Sequence, residues 1–267
     1  ARRLSLADEI GATARAARDR VLERLARLGL LSADRLAAAR QAPVPTARRP
    51  TPQHAAHLAD ALRRAQPGQG LLHTTLDGEL QRRLEQLAQR WQSRLLPGES
   101  LAVMVVANRD RRVLATVGSG DYLTVSQLDL TTAVRSPGST LKPLIYGLGF
   151  ETGRLHPLTR VWDRQQAVGD YAPANFDARY RGLLSLAEAL QLSLNTAAVQ
   201  VLAQVGPQTL LDRLGRCGLR PRLPDPEPAA LAVGLGGVGL QLRELVTLYA
   251  ALADGGQCQP LRTHAEA

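Results

Sequence analysis

Four prolines within thirteen residues, in the stretch QAPVPTARRPTPQ (41–53), set the first limit on how this chain folds. Proline fixes its own φ, has no N–H to give to a helix or a ladder, and biases the residue before it away from the α region. No regular element runs through such a stretch, so it reads as a linker with a boundary near residue 48. Before it, Val21, Leu22, Leu25, Leu28 and Leu30 form an apolar stripe at helical spacing. Beyond a Gly-Leu-Leu break, Ser32 offers an N-cap to SADRLAAA. Residues 1–47 are thus predicted to hold a pair of small helices, and 48–267 a larger unit. With 45% hydrophobic residues in 267, the chain can bury one sizeable core with a small appendage.

Past the linker, a helix is predicted over His54–Arg64 and a strand in GLLHTTLD. A helix over 78–95 would carry Leu80, Leu84, Leu87 and Trp91 on one face. Two β-rich runs flank NRDRR and predict a hairpin. Further helices are expected at Thr140–Glu151, Ser185–Val205, Pro207–Leu214 and Gln241–Ala253, the last ended by Asp254-Gly255-Gly256, with 169–182 as a loop. This order predicts an α/β (α+β) fold, a mixed sheet with helices packed on its faces.

A net charge of +9 raises the question of nucleic acid. The arginines are scattered, however, and aromatic residues are only 3%, which argues against a base-stacking surface. No nucleic-acid partner is expected. No stretch approaches the roughly 18 apolar residues of a membrane span, and no signal-peptide pattern opens the chain. The missing initiator Met predicts a piece of a longer protein, cut at both ends. His54 and His57 lack a partner at ligand spacing and read as a surface pair; no metal and no cofactor are expected. Cys217 and Cys258 fit either two buried thiols or a single bridge.

One lysine stands in the whole chain, Lys142, against a background that otherwise uses arginine. It lies three residues after Ser139, in the pattern S-x-x-K. A serine hydroxyl is a weak nucleophile until a neighbouring base takes its proton. A lysine can be that base if burial and a helix N-terminus disfavour its charged form, whereas a guanidinium stays protonated. If Ser139 opens a helix, Lys142 follows one turn later on the same face. With ten serines in 267 residues, a single lysine meets this spacing by chance about once in 27, so the motif needs companions. Ser193-Leu194-Asn195 is one, an S-x-N triplet in which Ser193 can relay a proton and Asn195 can bind substrate or hold Lys142. Taken alone, the triplet is two polar residues at a helix start. S-x-x-K and such a triplet, completed by K-T-G, mark the penicillin-recognising serine enzymes. There is no K-T-G among these 267 residues. The glycines of VGLGGVG lack the following Lys-Ser/Thr of a phosphate loop and read as a tight turn between helices.

The likeness extends past these motifs. TTLDGELQ (74–81), RSPGSTLKPLIYGLGFE (135–151), GDYAPANFD (169–177), ALQLSLNTAAVQVLAQVGP (189–207) and LAVGLGGVGLQLRELVTLYAALADGG (231–256) resemble, in order and spacing, the bifunctional class A penicillin-binding proteins. The resemblance implies the transpeptidase / serine β-lactamase-like fold over 48–267, cut before its K-T-G strand. Residues 1–47 resemble the tail of a glycosyltransferase domain, whose catalytic part and membrane anchor lie outside the chain. The implied activity is D,D-transpeptidation. Ser139 is then the nucleophile, Lys142 its base, Ser193 the proton relay and Asn195 a substrate ligand, with the Ser139 N–H as one arm of an oxyanion hole. Without the K-T-G strand, which supplies the other arm, the 267 residues alone are expected to acylate poorly. Asp170, Tyr171 and Asn175 are given no catalytic role. Implied partners are peptidoglycan stem peptides ending in D-Ala-D-Ala, β-lactams and other cell-wall synthesis proteins. The implied location is the periplasmic side of a bacterial inner membrane. A D-alanyl carboxypeptidase or a β-lactamase shares the Ser139–Lys142 logic, but the glycosyltransferase-like tail speaks against both. The alternative from another class is a non-catalytic scaffold or sensor that binds muropeptide or penicillin.

Overall fold

The computed structural model describes residues 8–44, 53–169, 171–224 and 231–264. The chain divides into two compact units, residues 1–53 and 54–267. The predicted linker boundary near 48 lies outside the described residues, as does Asp170.

The first unit is a helical hairpin, α1 (Asp8–Arg27) and α2 (Ala33–Gln41). Ser32 caps α2 as predicted, accepting the Arg35 N–H, and Gly29 turns the chain at φ 71°. The apolar stripe is only half used. Leu22 and Leu25 are part-buried, whereas Val21, Leu28 and Leu30 face solvent. The Arg18 guanidinium fastens the end of α2 through the carbonyls of Arg40 and Ala42, and Arg40 pairs with Glu23.

In the second unit, α3 (Ala56–Ala65) is followed by α4 (Gly78–Gln92) and the hairpin β1 (Val103–Val106) and β2 (Val113–Val117). The hairpin pairs Val103 with Val117 and Val105 with Ala115 in antiparallel register. Its turn is closed by Arg111, at φ 57°, whose N–H donates to Ala107 O. α4 packs by only part of the predicted face, through Leu84 and the part-buried Leu80. Gln81, Leu84 and Ala88 are buried against β2, while Leu87 and Trp91 are exposed. The reason is the amide of Gln81. It accepts the Thr116 N–H at 2.8 Å and donates to Thr116 O at 2.9 Å, taking the place of a neighbouring strand and turning the helix by its own register. GLLHTTLD forms only a bridge from Thr74 to His264, because Asp77 already caps α4 and ends the extended run.

Beyond β2 the unit is mainly helical: α5 (Lys142–Glu151), α6 (Leu186–Gln191), α7 (Asn195–Val205), α8 (Pro207–Arg216) and α9 (Leu242–Leu252). A second antiparallel pair, β3 (Arg160–Asp163) with β4 (Gly182–Ser185), stands where no strand was predicted. Instead of one mixed sheet, the described residues contain two small two-stranded sheets. The single helix expected over Ser185–Val205 is β4, α6 and α7, broken at Leu192–Leu194. α6 is opened by a capping box between Ser185 and Glu188. The main core gathers Leu141, Ile145, Tyr146, Leu148, Ala198, Val201, Leu202, Leu210, Leu214 and Leu248, with α5 and α7 at its centre.

Two readings of single residues are settled by the structure. Cys217 and Cys258 form a disulfide that ties the end of α8 to the segment after α9. His57 is buried rather than superficial, with Nε2 3.0 Å from Ser126 O and 3.2 Å from Ser119 Oγ, whereas His54 stays exposed beside Glu85. Among the described residues no helix is long and apolar enough to cross a membrane.

Candidate active site

The site begins with a tight turn. Gly138 has φ 53°, and Gly138–Leu141 form a 3-10 turn that runs directly into α5. In 3-10 geometry residues i and i+3 share one edge of the turn, which puts Ser139 and Lys142 on the same side, and the Lys142 N–H donates to Ser139 O. Pro143 sits in the first turn of α5, where its missing N–H costs nothing. The spacing argument holds, but the predicted cap does not. The cap position is Pro137, so the Ser139 hydroxyl is not used by the helix.

The turn is braced from behind by the glycine-rich segment read as a mere connection. Gly236, at φ 97°, lies so close that a Cβ there would meet Ser136 Oγ and come within 2.8 Å of the Gly138 N and Cα. Ser136 Oγ donates to Gly236 O and accepts the Gly138 N–H. Tyr249 of α9 donates its hydroxyl hydrogen to Thr140 O at 3.0 Å.

Lys142 is 1% exposed. Its ammonium donates to Ser193 O at 2.5 Å, to Ser193 Oγ at 3.1 Å and to Asn195 Oδ1 at 2.7 Å. Among the described residues no carboxylate pairs with it, and burial pulls its pKa down from 10.5 to about 8. The N-terminus of α5, where it sits, acts in the same direction. Two oxygens of one serine reach the same ammonium because Ser193 occupies the break between α6 and α7 in the left-handed region, at φ 53°. A continuous helix would commit that carbonyl to the helical ladder.

Asn195 is oriented by its neighbours. Its Nδ2 donates to Ala174 O at 2.7 Å, which leaves Oδ1 to Lys142. Its N–H donates to Asn175 Oδ1 at 2.9 Å. Asn175, dismissed as part of a turn-rich loop, therefore touches the site, and behind it lie Thr196 and the fully buried Asp163. The signal available in the sequence was an Asn inside PANFD; what it bonds to depends on β3, whose existence the sequence did not reveal.

Lys142, Ser193 and Asn195 are thus brought together. Ser139 is exposed one 3-10 turn before Lys142, and among the described residues its hydroxyl forms no hydrogen bond to Lys142 or Ser193. The arrangement combines a buried amine able to accept a proton with a solvent-facing hydroxyl on the same turn. At pKa about 8, roughly a tenth of the Lys142 amines are neutral at pH 7. Among the described residues no group of three His, Cys, Asp or Glu could hold a metal ion.

Comparison with known proteins places the chain. The chain is 42% identical to penicillin-binding protein 1C of Escherichia coli (strain K12) over 255 residues, 93% of this chain and 33% of that protein. It therefore spans about a third of that relative's length. Penicillin-binding protein 1A from Haemophilus influenzae superimposes with a TM-score of 0.66 at 16% identity, covering 94% of this chain and 54% of that one. The PonA1 protein from Mycobacterium tuberculosis in complex with penicillin V gives 0.66 at 21%, covering 79% and 60%. These two likenesses establish the fold. The model of the penicillin binding protein transpeptidase domain matches residues 101–265, more than half of the sequence and all four candidate site positions, and the chain belongs to that family.

Proposed function

We propose that the protein is a D,D-transpeptidase that cross-links peptidoglycan stem peptides through an acyl-enzyme on Ser139. The observation that carries this reading is a buried Lys142, lowered to about 8, one 3-10 turn after an exposed serine and held, among the described residues, by the neutral oxygens of Ser193 and Asn195. Neutral Lys142 takes the Ser139 proton as Oγ attacks the carbonyl of the penultimate D-Ala. The oxygen of the tetrahedral intermediate is met by the Ser139 N–H at the helix start. As the C–N bond breaks, Ser193 passes the proton to the departing D-Ala amine, giving the ester and free D-Ala. An amine of a second stem peptide then attacks the ester, forms the cross-link and returns the proton to Ser139. Asn195 holds the substrate peptide and Lys142. A β-lactam enters the same path because its ring amide acylates Ser139 without releasing a fragment that could make way for the acceptor. The penicillin V held by PonA1 supports that part of the reading.

The wider setting belongs to the same proposal. Residues 48–267 act as the transpeptidase domain, and 1–47 as the end of a glycosyltransferase domain in a bifunctional, membrane-anchored periplasmic protein. The test is intact-mass spectrometry of the full-length protein with a penicillin, beside Ser139→Ala. One adduct on the wild type and none on the variant is expected. Absence of an adduct on both favours the scaffold or sensor, and an adduct on both places the nucleophile elsewhere.

A further inference from the structure

We propose that Asp163 is the positioning residue of this site: its buried carboxylate fixes the Asn175 amide, which in turn holds the head of α7 and the Asn195 side chain against Lys142. The proposal rests on the reading of Lys142 as the base for Ser139.

Asp163 ends β3 and is 0% exposed; the Arg181 guanidinium acts on it only through its field, and its direct partners are hydrogen-bond donors. A carboxylate can stay buried only where hydrogen bonds replace its water. Here three donors do so: Asn175 Nδ2 at 2.7 Å and Thr196 Oγ1 at 2.5 Å to Oδ1, and the Arg181 N–H at 2.8 Å to Oδ2. A carboxylate accepts and does not donate, so it determines which way the Asn175 amide faces. With Nδ2 committed to Asp163 and to Arg179 O, Oδ1 must point the other way, where it accepts the N–H groups of Asn195 and Thr196.

Those N–H groups open α7. Its own cap residue, Leu194, has no side-chain oxygen to satisfy them, so the cap comes from Asn175, 20 residues upstream of Asn195. Ala174, the preceding residue, orients the Asn195 amide through its carbonyl. One loop therefore holds Asn195 by backbone and by side chain: Asp163 and the Arg179 carbonyl set the sense of the Asn175 amide, and the Ala174 carbonyl sets that of the Asn195 amide. The carboxylate itself is fixed by the pairing of Asp163 with Gly182 across β3 and β4.

The test is the second-order rate of penicillin acylation against pH for the full-length protein and its variants. Asp163→Asn is expected to slow acylation about ten- to hundredfold, since small misplacements of reacting groups cost that much. The rising limb of its pH profile moves to lower pH, because a displaced Asn195 no longer favours the charged form of Lys142. A purely structural role lowers the folded yield and leaves the limb of the remaining active protein unmoved. An unmoved limb in Asp163→Asn overturns the proposal. If Asp163→Asn fails to fold, Thr196→Val removes one donor from the same carboxylate, and an unmoved limb there counts equally against it. Ser139→Ala runs alongside: labelling of that variant overturns the nucleophile reading, whereas its silence beside an unaffected Asp163→Asn overturns only the positioning role.

Discussion

Ser139 and Lys142 are one 3-10 turn apart and differ in almost everything else. Lys142 is buried and donates three hydrogen bonds, whereas Ser139 is exposed and its hydroxyl is not engaged by Lys142 or Ser193. Burial explains the division. On the proposed reading, the group that must lose its charge has to be removed from water, and the group that must meet a substrate has to remain in it. Lys142 is held by hydrogen bonds of its own side chain, whereas Ser139 is held through its turn, by the close approach of Gly236 and the hydroxyls of Ser136 and Tyr249.

The comparison can be broken at either end. Lys142→Met should give the largest effect, a loss of about a hundred- to ten-thousandfold in acylation rate, read by stopped-flow with a chromogenic β-lactam. A variant within tenfold of wild type would separate the buried amine from the chemistry. Gly236→Ala attacks the other end. Its Cβ would press on the Ser139 turn from a backbone conformation that alanine resists, so the variant should lose about 1–3 kcal/mol in urea unfolding and acylate more slowly. The remaining effect concerns stability alone. Because the folded state lowers Lys142 from 10.5 to about 8, the unfolded chain binds more protons between those values. The wild type should thus gain stability relative to Lys142→Met as pH rises from about 8 to about 10.5, and thermal melts that stay parallel across that window would refute it.

Much of this was legible in the sequence where chemistry restricts the residue type. A sole lysine after Ser139 marks the candidate base, because arginine cannot serve, and Ser32 and the NRDRR turn announce their elements by local bonding. What was hidden depends on partners remote in sequence. β3 and β4 are four residues each, too short for a period, and Trp162 and Leu183 face solvent where apolar residues are expected to be buried. The break at Ser193 is flanked by leucines and alanines that suit an unbroken helix, and only the demand of Lys142 for oxygen acceptors explains it. Leu87 and Trp91 misled for a related reason: hydrophobicity outlines a helix face, but the Gln81 amide on β2 chose the rotation.

Ser193 carries one last consequence. Its backbone, at φ 53°, suits Gly or Asn, while its place beside Lys142 calls for a small side-chain hydroxyl. Gly and Asn satisfy the first demand and lack the hydroxyl; Thr keeps the hydroxyl and, being β-branched, resists the conformation. The position is therefore a narrow gate for heritable variation. Substitutions around this serine are physically far freer than substitutions of it.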